Sequence, residues 1–186
     1  MAENSIDLLV AYSNLLDPSH GRYLTDVSPL NQSAAIVMPL DGDPILCSGQ
    51  IRNTFPEAEI VNAEKLVYEM RETKTKNEIA CMQKAACILD SAFAEAVRTL
   101  RAGMTELDIQ AGIEAAILRG GAEDHGLSWT PMIPSGPERT KLCMNRNSLR
   151  KVKKGEIIDL QAGALYEGYN AGWAEQVNGR DVPNPL

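Results

Sequence analysis

The sequence has no apolar run approaching the length of a bilayer span, and its N-terminus, MAENSIDLL, has no basic segment followed by a long apolar stretch. Both absences argue against a membrane helix and a secretory leader, so the chain is expected to be soluble and cytoplasmic. Positive charge is scarce: 18 Lys and Arg stand against 25 Asp and Glu, for a net charge of -7. That balance excludes the clustered basic surface that nucleic acid or an anionic membrane requires. The one basic run, RKVKK at 150–154, precedes Gly155 and a strand pattern, and reads as a solvated turn. Cys47, Cys81, Cys87 and Cys143 form no CxxC pair and no metal-ligand spacing with His20 or His125. They are expected to be reduced thiols filling the core. Internal repeats, low-complexity tracts and phosphate-cradling glycine loops are also missing.

What remains is ordinary globular composition, 44% hydrophobic and 23% charged, in a chain long enough for one domain or two small ones. The first part has short apolar runs at 6–13, 33–39, 44–49 and 58–63, and Asp41-Gly42 between the middle two suits a tight hairpin. It reads as a small α/β unit. A helical connector over about 65–73 leads to a second part with a different period. There Thr75-Lys76-Asn77-Glu78 is a capping box. Ile79, Met82, Ala86, Leu89, Phe93, Ala96 and Leu100 follow at helical steps, predicting a helix over about 77–100 whose face packs on a sheet containing Ile157 and Leu160. Thr105-Glu106-Leu107-Asp108 starts a second helix, with Ile109, Ile113 and Ile117 on one stripe and Gly120-Gly121 as its stop. LSWTPMIPSG (127–136), GEIIDLQAGAL (155–165) and the run after it read as strands. Two helices followed by antiparallel strands give an α+β half-domain.

Five motifs in fixed order, RETKTKNEIACMQKA, LRAGMTELDIQAGIEAAILRGGAE, MIPSGP, KKGEIIDLQAGALYEGY and the shortened N-terminal run LLVAYSNLLDPSHGRYLTDVSPLNQSAAIVMPLDGDPIL, resemble the creatinase, aminopeptidase P and prolidase family. The resemblance implies an α+β fold. It sets a small creatinase-like N-terminal domain at 1–63, a helical connector at 64–73 and the first half of a pita-bread domain at 74–186. In the family's metallopeptidases, two aspartates of a dinuclear metal centre flank the Tyr-x-Gly-Tyr turn. Alignment on Tyr166-Glu167-Gly168-Tyr169 puts Gln161 and Gly172 at those positions. A neutral amide binds hard cations far more weakly than a carboxylate, and glycine offers no side chain. No metal and no other cofactor is therefore expected. A register shifted by two residues would substitute Asp159 and Asn170, which have the same spacing, at the cost of displacing the turn.

The resemblance also implies a histidine about seven residues after Ser135-Gly136, where this chain has Cys143, the candidate catalytic residue. By likeness to metal-free members of the family, the expected activity is hydrolysis of a C–N bond in a small amidine, amide or dipeptide-like substrate. Gln161 would orient the substrate, Tyr169 and Trp173 would form an apolar or cation–π wall, and Glu175 would pair with a substrate cation. A non-catalytic pita-bread binding module is the alternative, and a metal-dependent Xaa-Pro peptidase the third. The family's second histidine and two glutamates would fall beyond Leu186. A homodimer, or association with a chain carrying the missing half-domain, is therefore expected, with no nucleic-acid or membrane partner.

Overall fold

The computed structural model describes residues 8–13, 34–41, 45–47, 64–126, 131–141 and 146–178. The chain divides into two compact units, 1–74 and 75–186. In the first, strands β1 (Leu8–Ser13), β2 (Ala34–Pro39) and β3 (Ile45–Cys47) form an antiparallel sheet in that order. β2 and β3 pair antiparallel with Val37 opposite Ile45; the turn expected at Asp41-Gly42 lies partly outside the described residues. Leu9, Ala11 and Val37 are buried. Helix α1 (Glu64–Glu72) ends this unit, and the strand expected at 58–63 lies outside the described residues.

The second unit begins at the cap of α2 (Lys76–Thr99). The Glu78 N–H donates to the Thr75 hydroxyl, and the Thr75 N–H donates to the Glu78 carboxylate, so two otherwise orphaned donors are satisfied. The buried stripe of α2 is Ala85, Ile88, Leu89, Ala92, Phe93 and Ala96. Ile79, Met82 and Ile157, expected in the core, are instead exposed at 44%, 37% and 48%. Leu89, Phe93, Ala96 and Leu100 of the same expected face are buried, so this face meets the core from about Ala85 onward and the first turns of α2 do not. Full burial of Leu89 or Ile88 is worth about 1.5–3 kcal/mol each. Cys87 is exposed and Cys81 partly so, both as free thiols, so neither fills the core. Helix α3 (Glu106–Arg119) repeats the device with Thr105 and Asp108 as its capping box. Its Ile109, Ile113 and Ile117 are buried. Gly120 closes it, and Gly121 takes a left-handed φ of 93° that other residues resist.

Helix α2 packs on one side of the hairpin β4 (Ile157–Tyr166) and β5 (Tyr169–Asn178), and α3 packs on α2 and joins the same core. Its loop is the two residues Glu167 and Gly168, both at positive φ (48° and 77°), the signature of a type I′ turn whose twist matches the strands. That turn sets the register from Tyr166 opposite Tyr169 to Ile157 opposite Asn178. On its other edge β4 pairs with the segment around 132–135. Val152 is fully buried and Arg150 is held by side-chain partners, so the basic run is a solvated turn only at Lys153 and Lys154.

Candidate functional site at the β4–β5 hairpin

Side chains alternate along a strand, and directly opposed residues of an antiparallel pair share a face. Ile158, Leu160, Ala162 and Ala164 of β4 belong to the core with α2 and α3. By register, Val177, Glu175, Trp173 and Ala171 stand on that same face, and Tyr169 closes it by donating its hydroxyl to Glu78 of α2 at 2.9 Å. The opposite face carries Asp159, Gln161, Gly163 and Leu165 on β4, matched by Gln176, Ala174, Gly172 and Asn170 on β5.

This arrangement separates the candidate residues. Gln161 lies on the face turned away from the helices, and its backbone exchanges hydrogen bonds with Met132 at 2.8 and 2.9 Å. Tyr169, Trp173 and Glu175 lie on the helix side, with Trp173 at 53% exposure and Glu175 exposed. The hairpin therefore does not bring Gln161 together with those three. Cys143 lies outside the described residues.

Gln161 and Gly172 do share a face. Gln161 opposes Ala174, so Gly172 is its diagonal neighbour, at about 7–8 Å. Two acids at these positions would converge on one cation, whereas an amide and a hydrogen atom do not. The dinuclear metal of the family's peptidases is thus not matched by the donors present. The shifted pair fails geometrically: Asp159 opposes Gln176, six residues from Asn170, or about 20 Å along the strand. Among the described residues no group of three or more His, Cys, Asp and Glu is placed to hold a metal ion.

A second polar centre lies on the helix side and was not legible from local sequence. Glu106, in the first turn of α3, is fully buried. Its Oε1 accepts from the Ser135 N–H (3.0 Å), the Ser135 hydroxyl (2.8 Å) and Arg139 Nε (3.0 Å). Its Oε2 accepts from the N–H and hydroxyl of Ser148 at 3.0 and 2.8 Å. Burial opposes the charge, but the bonds from Ser148, Ser135 and Arg139 and the Arg139 charge together outweigh it. The carboxyl accordingly sits below its usual range. Arg150 donates to the Ser135 hydroxyl (2.7 Å) and to Glu156, and that bond lowers the Glu156 carboxyl as well. Asn147 donates to the Pro131 carbonyl and Gln110 and accepts from the Ile133 N–H. Together these groups clamp the chain on both sides of 142–145. The only local signal was an acid in a helix's first turn, which the helix dipole explains without any tertiary partner.

Gly126, at φ 69°, shows how closely the segment after α3 approaches β4: a Cβ there would lie 2.5 Å from the Ala164 backbone.

Comparison with known proteins locates this unit in a family. The model of metallopeptidase family M24 matches residues 80–176. An uncharacterized hydrolase/peptidase, y4tL, of Sinorhizobium fredii is 26% identical over 170 residues, spanning 88% of this chain and 44% of its own length. The Xaa-Pro dipeptidase of Pyrococcus furiosus is 29% identical over 113 residues, spanning 61% of this chain and 32% of its own. The chain thus spans less than half of either relative. The crystal structure of X-Pro aminopeptidase from Thermotoga maritima superposes with a TM-score of 0.82 at 21% identity, over 95% of this chain and 62% of that one. That likeness is one of fold.

Proposed function

The chain belongs to metallopeptidase family M24, and from that premise we propose that it hydrolyses a C–N bond in a small amide, amidine or dipeptide-like substrate without a metal ion. The observation that carries this reading is the pair Gln161 and Gly172, which share a face and occupy the places where the family resemblance puts metal-binding aspartates. The relatives' names supply the bond class, since Xaa-Pro dipeptidases and aminopeptidases act on peptides. Gln161 supplies a group that both donates and accepts, able to fix an amide or amidine in one orientation. Cys143 enters as the candidate proton donor or nucleophile near the substrate. Trp173 and Glu175, on the helix side of the hairpin, form a separate surface in this reading. With them goes Tyr169, whose hydroxyl bond to Glu78 ties β5 to α2.

The division into a creatinase-like domain (1–63), a connector (64–73) and a pita-bread unit (74–186) belongs to the same proposal. So do cytoplasmic residence and association as a homodimer or with a chain bearing the rest of the domain. No helix among the described residues is long and apolar enough to cross a membrane.

A second reading, a metal-dependent Xaa-Pro peptidase, is favoured by the names of the relatives. Amine release from a panel of small amides, amidines and Xaa-Pro dipeptides, with and without a chelator, separates the two. The proposal expects turnover that is indifferent to chelation and falls about tenfold to a hundredfold in Gln161→Ala. Turnover abolished by chelator and restored by manganese would establish the second reading. Absence of turnover across the panel would leave a binding module.

A further inference from the structure

Positive charge gathers at one end of the second unit, although the chain as a whole carries -7. The segments 103–106 and 150–152 run side by side there. The Gly103 N–H donates to the Val152 carbonyl and the Val152 N–H to the Met104 carbonyl, both at 2.9 Å, and the Glu106 N–H reaches the Arg150 carbonyl at 3.1 Å. Val152 is buried, so its neighbours Lys151 and Lys153 turn the other way, and both are exposed, as is Lys154. The end of α2 brings two more cations to the same place. Arg98, in the last helical turn, is exposed, and Arg101 lies two residues before the pairing, its guanidinium donating to the Arg98 and Leu100 carbonyls at 2.9 and 2.7 Å. Only the fold joins this pair to the basic run.

Among the described residues none of these five side chains forms an ion pair. The acids nearby are held elsewhere: Glu156 by Arg150 and the Lys153 N–H, Asp108 by the Thr105 N–H and hydroxyl, and Glu95 by Arg119. Lys151 adds only a through-space attraction to Asp108. Beside the cations, Leu107 and Leu149 flank the hydrogen bond from Glu106 to Arg150 and are exposed at 40% and 77%. Unpaired like charges next to exposed leucines mark a surface that gains from a partner carrying carboxylates and an apolar side chain. The partner must also be short. A nucleic acid or an anionic membrane would extend past these cations onto an acidic protein, and residues 98–107 and 149–154 contain no aromatic side chain on which a base could stack.

We propose that this end of the second unit binds a short acidic segment of a partner polypeptide, its carboxylates against Arg98, Arg101, Lys151, Lys153 and Lys154 and an apolar side chain against Leu107 and Leu149. The surface lies apart from the hairpin's open face, and the proposal does not depend on the hydrolytic reading.

Fluorescence anisotropy of a labelled peptide of alternating glutamate and leucine, titrated with the full chain, tests it. Saturable binding is expected at low salt, weakening about tenfold or more once salt shortens the Debye length to roughly 3 Å. The same peptide with glutamine in place of glutamate should not bind. Lys153→Glu combined with Lys154→Glu should weaken binding about tenfold or more, and Leu149→Ser about threefold. Lys84→Glu, at an exposed lysine of α2 about 20 Å along the helix from Arg98, should leave it unchanged. The Lys153 and Lys154 side chains bond to nothing in the fold, so the charge-reversed variant should melt with the parent. Absence of saturable binding, equal affinity in the charge-reversed variant, or tighter retention of phosphatidylserine vesicles or single-stranded DNA than of the peptide would overturn the proposal. So would a charge-reversed variant that melts well below the parent, because these lysines would then have partners within the fold.

Discussion

Glu106 and Asp159 are both buried carboxylates of the second unit, on opposite faces of one short sheet, and their surroundings differ completely. Glu106 is surrounded by two serine hydroxyls, two backbone N–H groups and Arg139, drawn from segments on either side of 142–145. Among the described residues no such set of donors surrounds Asp159, which is 7% exposed where Glu106 is fully buried. A carboxylate satisfied on both oxygens is a structural joint. One that retains some exposure, as Asp159 does, does not need such a shell. The comparison assigns the Glu106 network to architecture, while the proposed chemistry belongs to the other face of the hairpin.

Removing the joint gives the largest expected effect. Glu106→Ala leaves Arg139, the hydroxyls of Ser135 and Ser148 and two N–H groups facing a void, and should cost about 3–5 kcal/mol, the range for breaking one side of a buried ionic network. Urea denaturation measures it, and a loss below about 1 kcal/mol would reduce the network to ornament.

A smaller effect sharpens the same contrast through acid. The folded pKa of Glu106 lies below its unfolded value. Between the two values the unfolded chain binds more protons, so this contribution is fully present above the unfolded pKa and is lost as pH falls through the folded one. Stability should therefore decline below about pH 4.5, and Glu106→Gln, starting from lower stability, should show a shallower decline in the same titration. An unchanged slope would mean that other acids carry the transition.

Local signals were legible in the sequence and tertiary ones were not. Both capping boxes lie within four residues, and the hairpin loop announces itself by Gly168 between the tyrosines, so helix starts and strand register could be read directly. The buried stripe of α2 was legible at Leu89, Phe93, Ala96 and Leu100, but not where it begins: Ile79 and Met82, in the first turns, are exposed. Glu106 reaches partners 29 to 42 residues downstream, and Arg150 hides in a basic run that looks solvated. Gln161 and Gly172 were legible as the altered pair of the site through the family resemblance. The separation of Gln161 from Tyr169, Trp173 and Glu175 became visible only with the register.

The central claim is that the hairpin of this family member, with Gln161 and Gly172 on its open face, does not hold a dinuclear metal. Elemental analysis of the full chain after exposure to manganese, cobalt or zinc and exhaustive dialysis tests it most directly. The account predicts no stoichiometric metal, because an amide and a glycine cannot replace two carboxylates. Two metal equivalents per chain would contradict it.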